Sequence, residues 1–304
     1  MTLRARMKIG FIGCVESSQV ALEALLASEA TDYQVVGVIT KKSSPFNTDF
    51  VDLSYLCTDQ SIPCFYHDKY SNDAAEQFMR DIQPDVIFCI GWSYLLKNEF
   101  LEIAEHGVIG FHPAKLPSNR GRHPIIWALA LGLEETASTF FKMDKNADSG
   151  PIVSQIEIKI RPDSSARCLY AEILKAVSYQ VLEIADELAT GSIKYSIQDH
   201  SESNLWRKRT SRDGIIDFRM SAEDIHNLVL ALSEPYPGAA VIFEDQQYSV
   251  WKSALCFEEY PRNIEPGQVL GVENDVILLK VAGTSAIYLW QKDLSEQLTE
   301  GGYL

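Results

Sequence analysis

What this chain lacks narrows it before any motif is read. It has no Cys-x-x-Cys pair: Cys14, Cys57, Cys64, Cys89, Cys168 and Cys256 are scattered, with no zinc-like spacing to a histidine. Several sit in apolar runs such as Phe88-Cys89-Ile90, where a reduced, buried thiol behaves as a small hydrophobe. That usage implies the cytoplasm, and no metal is expected. Long apolar runs are missing too. The longest uncharged one, Pro124 to Leu133, is half of the roughly 20 residues a spanning helix needs, so no membrane span is expected. The basic start (Arg4, Arg6, Lys8) ahead of an apolar run resembles a signal peptide only until Glu16, and no small-residue cleavage site follows. Positive charge is scarce, 27 Lys and Arg against 42 Asp and Glu, for a formal net charge of −15. Such a surface repels phosphate backbones, which disfavours nucleic acid as a partner. Internal repeats and low-complexity tracts are absent as well.

What is present is a 304-residue chain, 46% hydrophobic, long enough for one large or two ordinary domains. Its first half alternates short β-branched runs with amphipathic stretches, the pattern of a parallel sheet with crossover helices. Strands are expected at 8–12, 34–40, 63–66, 86–90 and 108–111, then at 138–143 and 152–160. Helices are expected at 18–27, 74–82, 124–131 and 164–190. Gly191 is positioned to end the last of these. Beyond about residue 200 the character changes. One helix near 222–232 and five strands, at 239–243, 248–254, 267–272, 276–281 and 285–290, suggest a small OB-like antiparallel β-barrel domain. The expected domains are therefore 1–200 and 201–304.

Two loops carry candidate chemistry. The first βα loop, after Gly10 and Gly13, fails the G-x-G-x-x-G test, and no Walker lysine occurs, so a nicotinamide cofactor is not supported. The informative stretch is 107–150. His112 follows an apolar strand and precedes Pro113, which places it at a strand's carboxyl end, where open α/β sheets bind ligands. Asp148 lies in the loop after the next strand. The pair could act as general acid and base, the carboxylate orienting the imidazole. On spacing alone, a strand-end histidine bonding a backbone carbonyl is the other reading.

The run FHPAKLPSNRGRHPIIWAL, followed by TFFKMDKNADSG, resembles the core of the formyltransferases that use 10-formyltetrahydrofolate, with their His-Pro, Leu-Pro, Arg-Gly and Asp-x-Gly elements. Trp206 to Phe218, Ser221-Ala222 and Pro235-Tyr-Pro-Gly238 resemble the carboxyl-terminal domains of the methionyl-tRNA and sugar enzymes. The resemblance implies a Rossmann-like formyltransferase fold and N10-formyltetrahydrofolate as co-substrate. It assigns His112 and Asp148 as catalytic. The family's catalytic Asn falls on Gly110, so either another donor, such as a backbone N–H, a water or Asn119, replaces it, or the enzyme is slow, or the chain is a non-catalytic relative; retention of His112 and Asp148 favours replacement. Folate contacts are implied at Trp92, Ser93, Tyr94, Leu95 and Leu96, and at Met143, Asp144 and Ala147.

The small glycinamide ribonucleotide enzymes lack a counterpart of the second domain, which leaves tRNA or a sugar as acceptor. Basic residues cluster only at Arg120–Arg122 and Arg207–Arg212, enough to hold a diphosphate by bidentate hydrogen bonds but not a tRNA stem. The expected activity is N-formylation of a nucleotide-linked 4-amino (or 3-amino) deoxysugar for surface polysaccharide or glycoconjugate assembly. Arg120, Gly121, His123, Arg207, Lys208 and Arg209 are the candidate acceptor contacts, and a homodimer is left open. The alternatives are a methionyl-tRNA formyltransferase, a formyl-folate hydrolase that uses water in place of an amine, and a non-catalytic nucleotide-sugar-binding relative.

Overall fold

The computed structural model describes residues 6–45 and 47–304. Of the basic start, Arg4 therefore lies outside the described residues. The alternation read from the first half is realised in order. Strand β1 (Met7–Ile12) leads through helix α1 (Glu16–Ala27) to β2 (Tyr33–Thr40). Helix α2 (Ser54–Gln60) and β3 (Cys64–Tyr66) follow, then α3 (Asn72–Ile82), β4 (Val86–Cys89), α4 (Asn98–Leu101) and β5 (Val108–His112). Helices α2 and α4, only 7 and 4 residues long, had no sequence signal. Each holds too few turns to show a helical period.

The two-residue β6 (Arg120–Gly121), α5 (Pro124–Ala130), β7 (Glu135–Lys142), β8 (Ile152–Lys159) and α6 (Ala166–Thr190) complete this half. Pro124 occupies the first turn of α5, where its missing N–H costs nothing. The seven-stranded sheet has the order β3-β2-β1-β4-β5-β7-β8. Its first five strands pair in parallel, and β7 runs antiparallel to β5. Strand order reverses between β1 and β4. The carboxyl ends of β1 to β5, and the loops that follow them, therefore share one edge, the usual place for a ligand in such sheets.

Strand β4 reads as continuously apolar because it is buried throughout, with Val86, Ile87 and Phe88 at 0% exposure. Helix α6 buries Ile173, Val177, Val181, Ile184 and Leu188 at three- and four-residue spacing, the stripe that marked it as a helix. Buried Gln180 on this helix donates to Ser138 O and Ser154 Oγ and accepts from Ser138 Oγ at 2.6 Å. Gly191 adopts φ +76°, and its N–H and that of Ser192 bond the carbonyls of Leu188 and Glu187, closing the helix.

The chain divides into two compact units. The first holds the residues up to Gly121, with 137–158 and 171–206. The second holds 122–136, 159–170 and 207–304, so it takes back two stretches from the first half. The short β9 (Leu205–Trp206) pairs in parallel with β6 in the first unit.

In the second unit, Ser221 caps α7 (Ala222–Ala231), its Oγ accepting from Asp224 N at 3.0 Å. Then come β10 (Ala239–Phe243), β11 (Gln246–Val250), β12 (Ser253–Cys256), β13 (Val269–Glu273), β14 (Val276–Lys280), β15 (Ala286–Trp290) and α8 (Lys292–Ser295). All the strand pairs here are antiparallel, in a two-stranded β10-β11 sheet and a four-stranded β12-β15-β14-β13 sheet. Here the sequence expectation needs one correction. The single strand expected at 248–254 is broken at Trp251–Lys252, and its halves join different sheets. Lys252, a poor strand former, stands at that break, but a single such residue within an exposed strand is too weak a mark to split the run. The β10–β11 turn has φ +47° at Glu244 and +62° at Asp245, the two positive values a type I′ two-residue hairpin requires.

Candidate active site

The site is built where β5 ends. Its last residue, His112, is 5% exposed. The Nε2–H donates to the Asn119 carbonyl at 2.8 Å, and Nδ1 lies 3.7 Å from Asp148 Oδ2. Both readings of His112 made from the sequence are thus realised together: one ring nitrogen bonds a backbone carbonyl and the other faces the carboxylate. At 3.7 Å the second contact is an ion-pair distance rather than a direct hydrogen bond, and it becomes an ion pair when Nδ1 carries a proton. The same Asp148 oxygen accepts the Gly121 N–H at 2.8 Å, which fixes the carboxylate independently of the histidine.

The glycines of the Arg-Gly and Asp-x-Gly elements are explained by crowding. A Cβ at Gly121, where φ is +106°, would strike the Trp206 carbonyl, and one at Gly150 would overlap the Lys142 carbonyl. Asn119 (φ +64°), His123 (φ +57°) and Asp148 (φ +54°) all adopt the left-handed conformation. These residue types tolerate it best, and such strain gathers at functional sites. The loop between β7 and β8 is tied internally: Asp144 Oδ1 accepts from Asn146 N at 2.8 Å and Ser149 Oγ at 2.7 Å, while Ala147 stays exposed.

Gly110, two residues before His112, faces a filled space. A Cβ there would lie 2.7 Å from Met143 Cγ and 3.1 Å from the Phe141 ring. Met143 in turn packs, with Trp92 and Leu96, against a cluster that includes Ile12, Ile87, Cys89, Phe100 and Val108. Ser93, Tyr94 and Leu95 lie exposed in the same loop after β4. Burial pushes the thiols of Cys14 and Cys89 up, to about 11 and 12, which makes them inert at neutral pH.

Arg120 is placed where the sequence did not suggest. It is 9% exposed, and its guanidinium donates to Gln198 Oε1 at 2.6 Å and meets His200 Nδ1 at 3.0 Å. Gln198 donates onward to the carbonyls of Asp148 (3.0 Å) and Gly150 (2.6 Å). Gln198 was missed because nothing local marks it. It is 78 residues from Arg120 in sequence.

Within the second unit, Arg207 and Arg209 lie over the Trp127 ring at 5.3 and 4.6 Å, and Trp127 Nε1 donates to the Arg207 carbonyl. Arg207 forks onto Asp213 and Arg209 donates to the Asp213 carbonyl, so both hold this loop's shape. Burial, then the charges of Arg122, Lys208 and Arg209, push the His123 imidazole below the ordinary histidine value. Among the described residues no helix is long and apolar enough to cross a membrane.

Known proteins agree with this architecture. Residues 7–184 match the formyl transferase family and residues 208–295 the formyl transferase C-terminal domain. A similar crystal structure is that of WlaRD, a sugar 3N-formyl transferase in the presence of dTDP and 5-N-formyl-THF (18% identity, TM-score 0.70, 95% of this chain and 98% of that one). Another is the N-formyltransferase of Helicobacter canadensis with folinic acid and dTDP-3-aminofucose (17%, 0.71, 94% and 99%). HypX of Aquifex aeolicus, in complex with tetrahydrofolic acid, shares the fold over 94% of this chain and 44% of its own (17%, 0.64). With both of its domains matched and His112 and Asp148 set together at the sheet edge, this chain belongs to the formyl transferase family.

Proposed function

We propose that the chain transfers a formyl group from N10-formyltetrahydrofolate to the amine of a nucleotide-linked 4-amino or 3-amino deoxysugar. The observation that carries this reading is the His112–Asp148 pair, with Asp148 held by the Gly121 N–H, at the carboxyl edge of the sheet. The apolar ground under Trp92, Leu96 and Met143 suits the ring system of a folate donor. In the reaction the amine nitrogen bonds to the formyl carbon, and the bond from that carbon to the folate nitrogen breaks. With its Nε2–H held by the Asn119 carbonyl, His112 stabilises the negative charge developing on the formyl oxygen by its positive charge when Nδ1 is protonated as well. Asp148 orients His112 and takes the amine proton, directly or through a water, and the departing folate nitrogen is protonated.

Since Met143 fills the space at Gly110, the second oxyanion donor must come from elsewhere. Asn119, joined to His112 through its backbone carbonyl, is the amide-bearing candidate. Arg120 and Gly121 then serve by position: Arg120 acts through Gln198 on the Asp148 loop, and Gly121 supplies its N–H. Lys208 and His123 are assigned to the acceptor's diphosphate, while Arg207 and Arg209 shape their loop through Asp213. The net charge of −15 favours such a small acceptor over a tRNA.

The test is formyl transfer assayed with dTDP-, UDP- and GDP-linked 3- and 4-amino sugars, with charged initiator tRNA, and with no acceptor. Formylated sugar supports the proposal. Formylated tRNA, or tetrahydrofolate released without an acceptor, would replace it with a tRNA enzyme or a hydrolase. Inactivity in every arm would favour a binding protein.

A further inference from the structure

The loop that follows His112 is clasped at three consecutive residues by a segment far along the chain. Ser118 Oγ donates to the Glu202 carbonyl at 3.1 Å, the Asn119 N–H to Asn204 Oδ1 at 2.7 Å, and the Arg120 N–H to the Asn204 carbonyl at 3.1 Å. Arg120 and Gly121 then pair with Leu205 and Trp206 as β6 and β9. All of these residues belong to the first unit.

Asn204 grips Asn119 from both sides. Its side chain takes the N–H of the peptide group before the Asn119 Cα, and its main-chain carbonyl takes the N–H of the peptide group after it. Peptide groups are planar, so fixing both leaves Asn119 no free dihedral. Asn119 needs such a grip. Its φ of +64° is left-handed, a conformation that a non-glycine residue keeps only where surrounding contacts over-determine it.

The carbonyl of that second peptide group is the one that accepts the His112 Nε2–H at 2.8 Å. A carbonyl oxygen only accepts, so the contact sets the tautomer: in the neutral ring Nε2 carries the proton, and Nδ1 is the nitrogen that gains and loses one. Nδ1 is also the nitrogen that faces Asp148, at 3.7 Å.

We infer that Asn204 is a positioning residue for the transfer reaction, a role that presupposes the formyl-transfer reading: it holds both peptide groups of Asn119, so that the Asn119 carbonyl keeps His112 protonated on Nε2 and leaves Nδ1 to exchange its proton beside Asp148. Asn204 is exposed and 85 residues from Asn119, so neither burial nor spacing marks it in the sequence.

The full-length chain is labelled with ¹⁵N-histidine and followed by NMR at about pH 9, where an ordinary imidazole is neutral. The His112 signals are identified by their loss in His112→Gln. In the parent chain they are expected to show a protonated Nε2 and a bare Nδ1. Asn204→Ala removes the Oδ1 acceptor and is expected to shift His112 toward the Nδ1–H tautomer, its proton then facing Asp148. Asn204→Asp still accepts the Asn119 N–H and is expected to keep the parent pattern. If Asn204→Ala does not fold, Asn204→Gln, whose amide oxygen is displaced by one methylene, gives the same readout. In formyl transfer to an amino sugar, Asn204→Ala is expected to lower kcat by about tenfold with KM near its parent value, and Asn204→Asp to restore most of the loss. An unchanged tautomer in a folded Asn204→Ala, an equal shift in Asn204→Asp, or a shift that leaves kcat intact would overturn the role. A parent chain that shows no transfer, with the tautomer shift present, counts against the formyl-transfer reading alone. Transfer without any tautomer shift counts against Asn204 alone.

Discussion

The Met143 side chain occupies the space into which a side chain at Gly110 would project, with Cγ 2.7 Å from the ideal Cβ position. Gly110 is therefore half of a packed pair rather than an empty place in the catalytic set. Gly110→Asn is expected to overpack the site, lower stability by about 1–3 kcal/mol and give no gain in formyl transfer. Adding Met143→Ala should recover part of that stability, because residues in contact are energetically coupled. Urea unfolding of the four combinations measures the coupling. A large gain in rate from Gly110→Asn alone would show that the glycine merely impairs the site.

His112→Gln and Asp148→Asn are each expected to lower kcat by about 10²–10³ while leaving KM near its original value, since they act on charge that develops in the transition state. Asp148→Asn still offers an oxygen to the Gly121 N–H, so its fold should persist. Steady-state kinetics with matched thermal melts separate a lost catalytic group from a lost fold. Undiminished rates in both variants would remove the assignment.

Arg120→Met strips Gln198 and His200 of a buried, charged donor. A cost of about 1.5–3 kcal/mol is expected, with a fall in kcat because Gln198 holds the carbonyls of Asp148 and Gly150. Arg120→Lys should not rescue it, as a single ammonium cannot reproduce the guanidinium fork. If Arg120 instead touched the acceptor, the change would appear in KM.

Arg207, then the Thr210 N–H, hold the Asp213 carboxyl well below the usual carboxylate range. The unfolded chain therefore binds this proton more readily than the folded one, and stability rises with pH across that interval. The contribution is complete above the ordinary value of about 3.9 and fades as the pH falls toward the depressed one. Asp213→Asn should lower the melting temperature at pH 7 and flatten its decline on acidification. Parallel curves for the two proteins would contradict this.

His123 is expected to titrate below an ordinary histidine and to be neutral at pH 7, for the reasons of burial and neighbouring charge already given. Its protonation opposes folding, so this contribution is lost as the pH falls below about 6.5. Bound dTDP would offset the charges of Lys208 and Arg209 and raise the titration point. NMR titration with and without dTDP reads the shift, and no movement would take His123 away from the diphosphate.

The sequence by itself determined the strand–helix alternation of the first half, the place of His112 at the end of β5, and the motifs that mark the family. These are local properties: burial on both faces gives β4 its apolar run, and one buried stripe gives α6 its period. Tertiary structure alone decided that Gln198 stands behind Arg120, that Met143 fills the space at Gly110, that residues 122–136 and 159–170 join the second unit, and that the strand-like run 248–254 breaks in two. It also buried His67 Nδ1 without a hydrogen-bond partner while Nε2 bonds Asn72. Hydrogen-bond partners and filled space are set by which segments meet in three dimensions, and segments dozens of residues apart leave no periodic trace of one another in the chain.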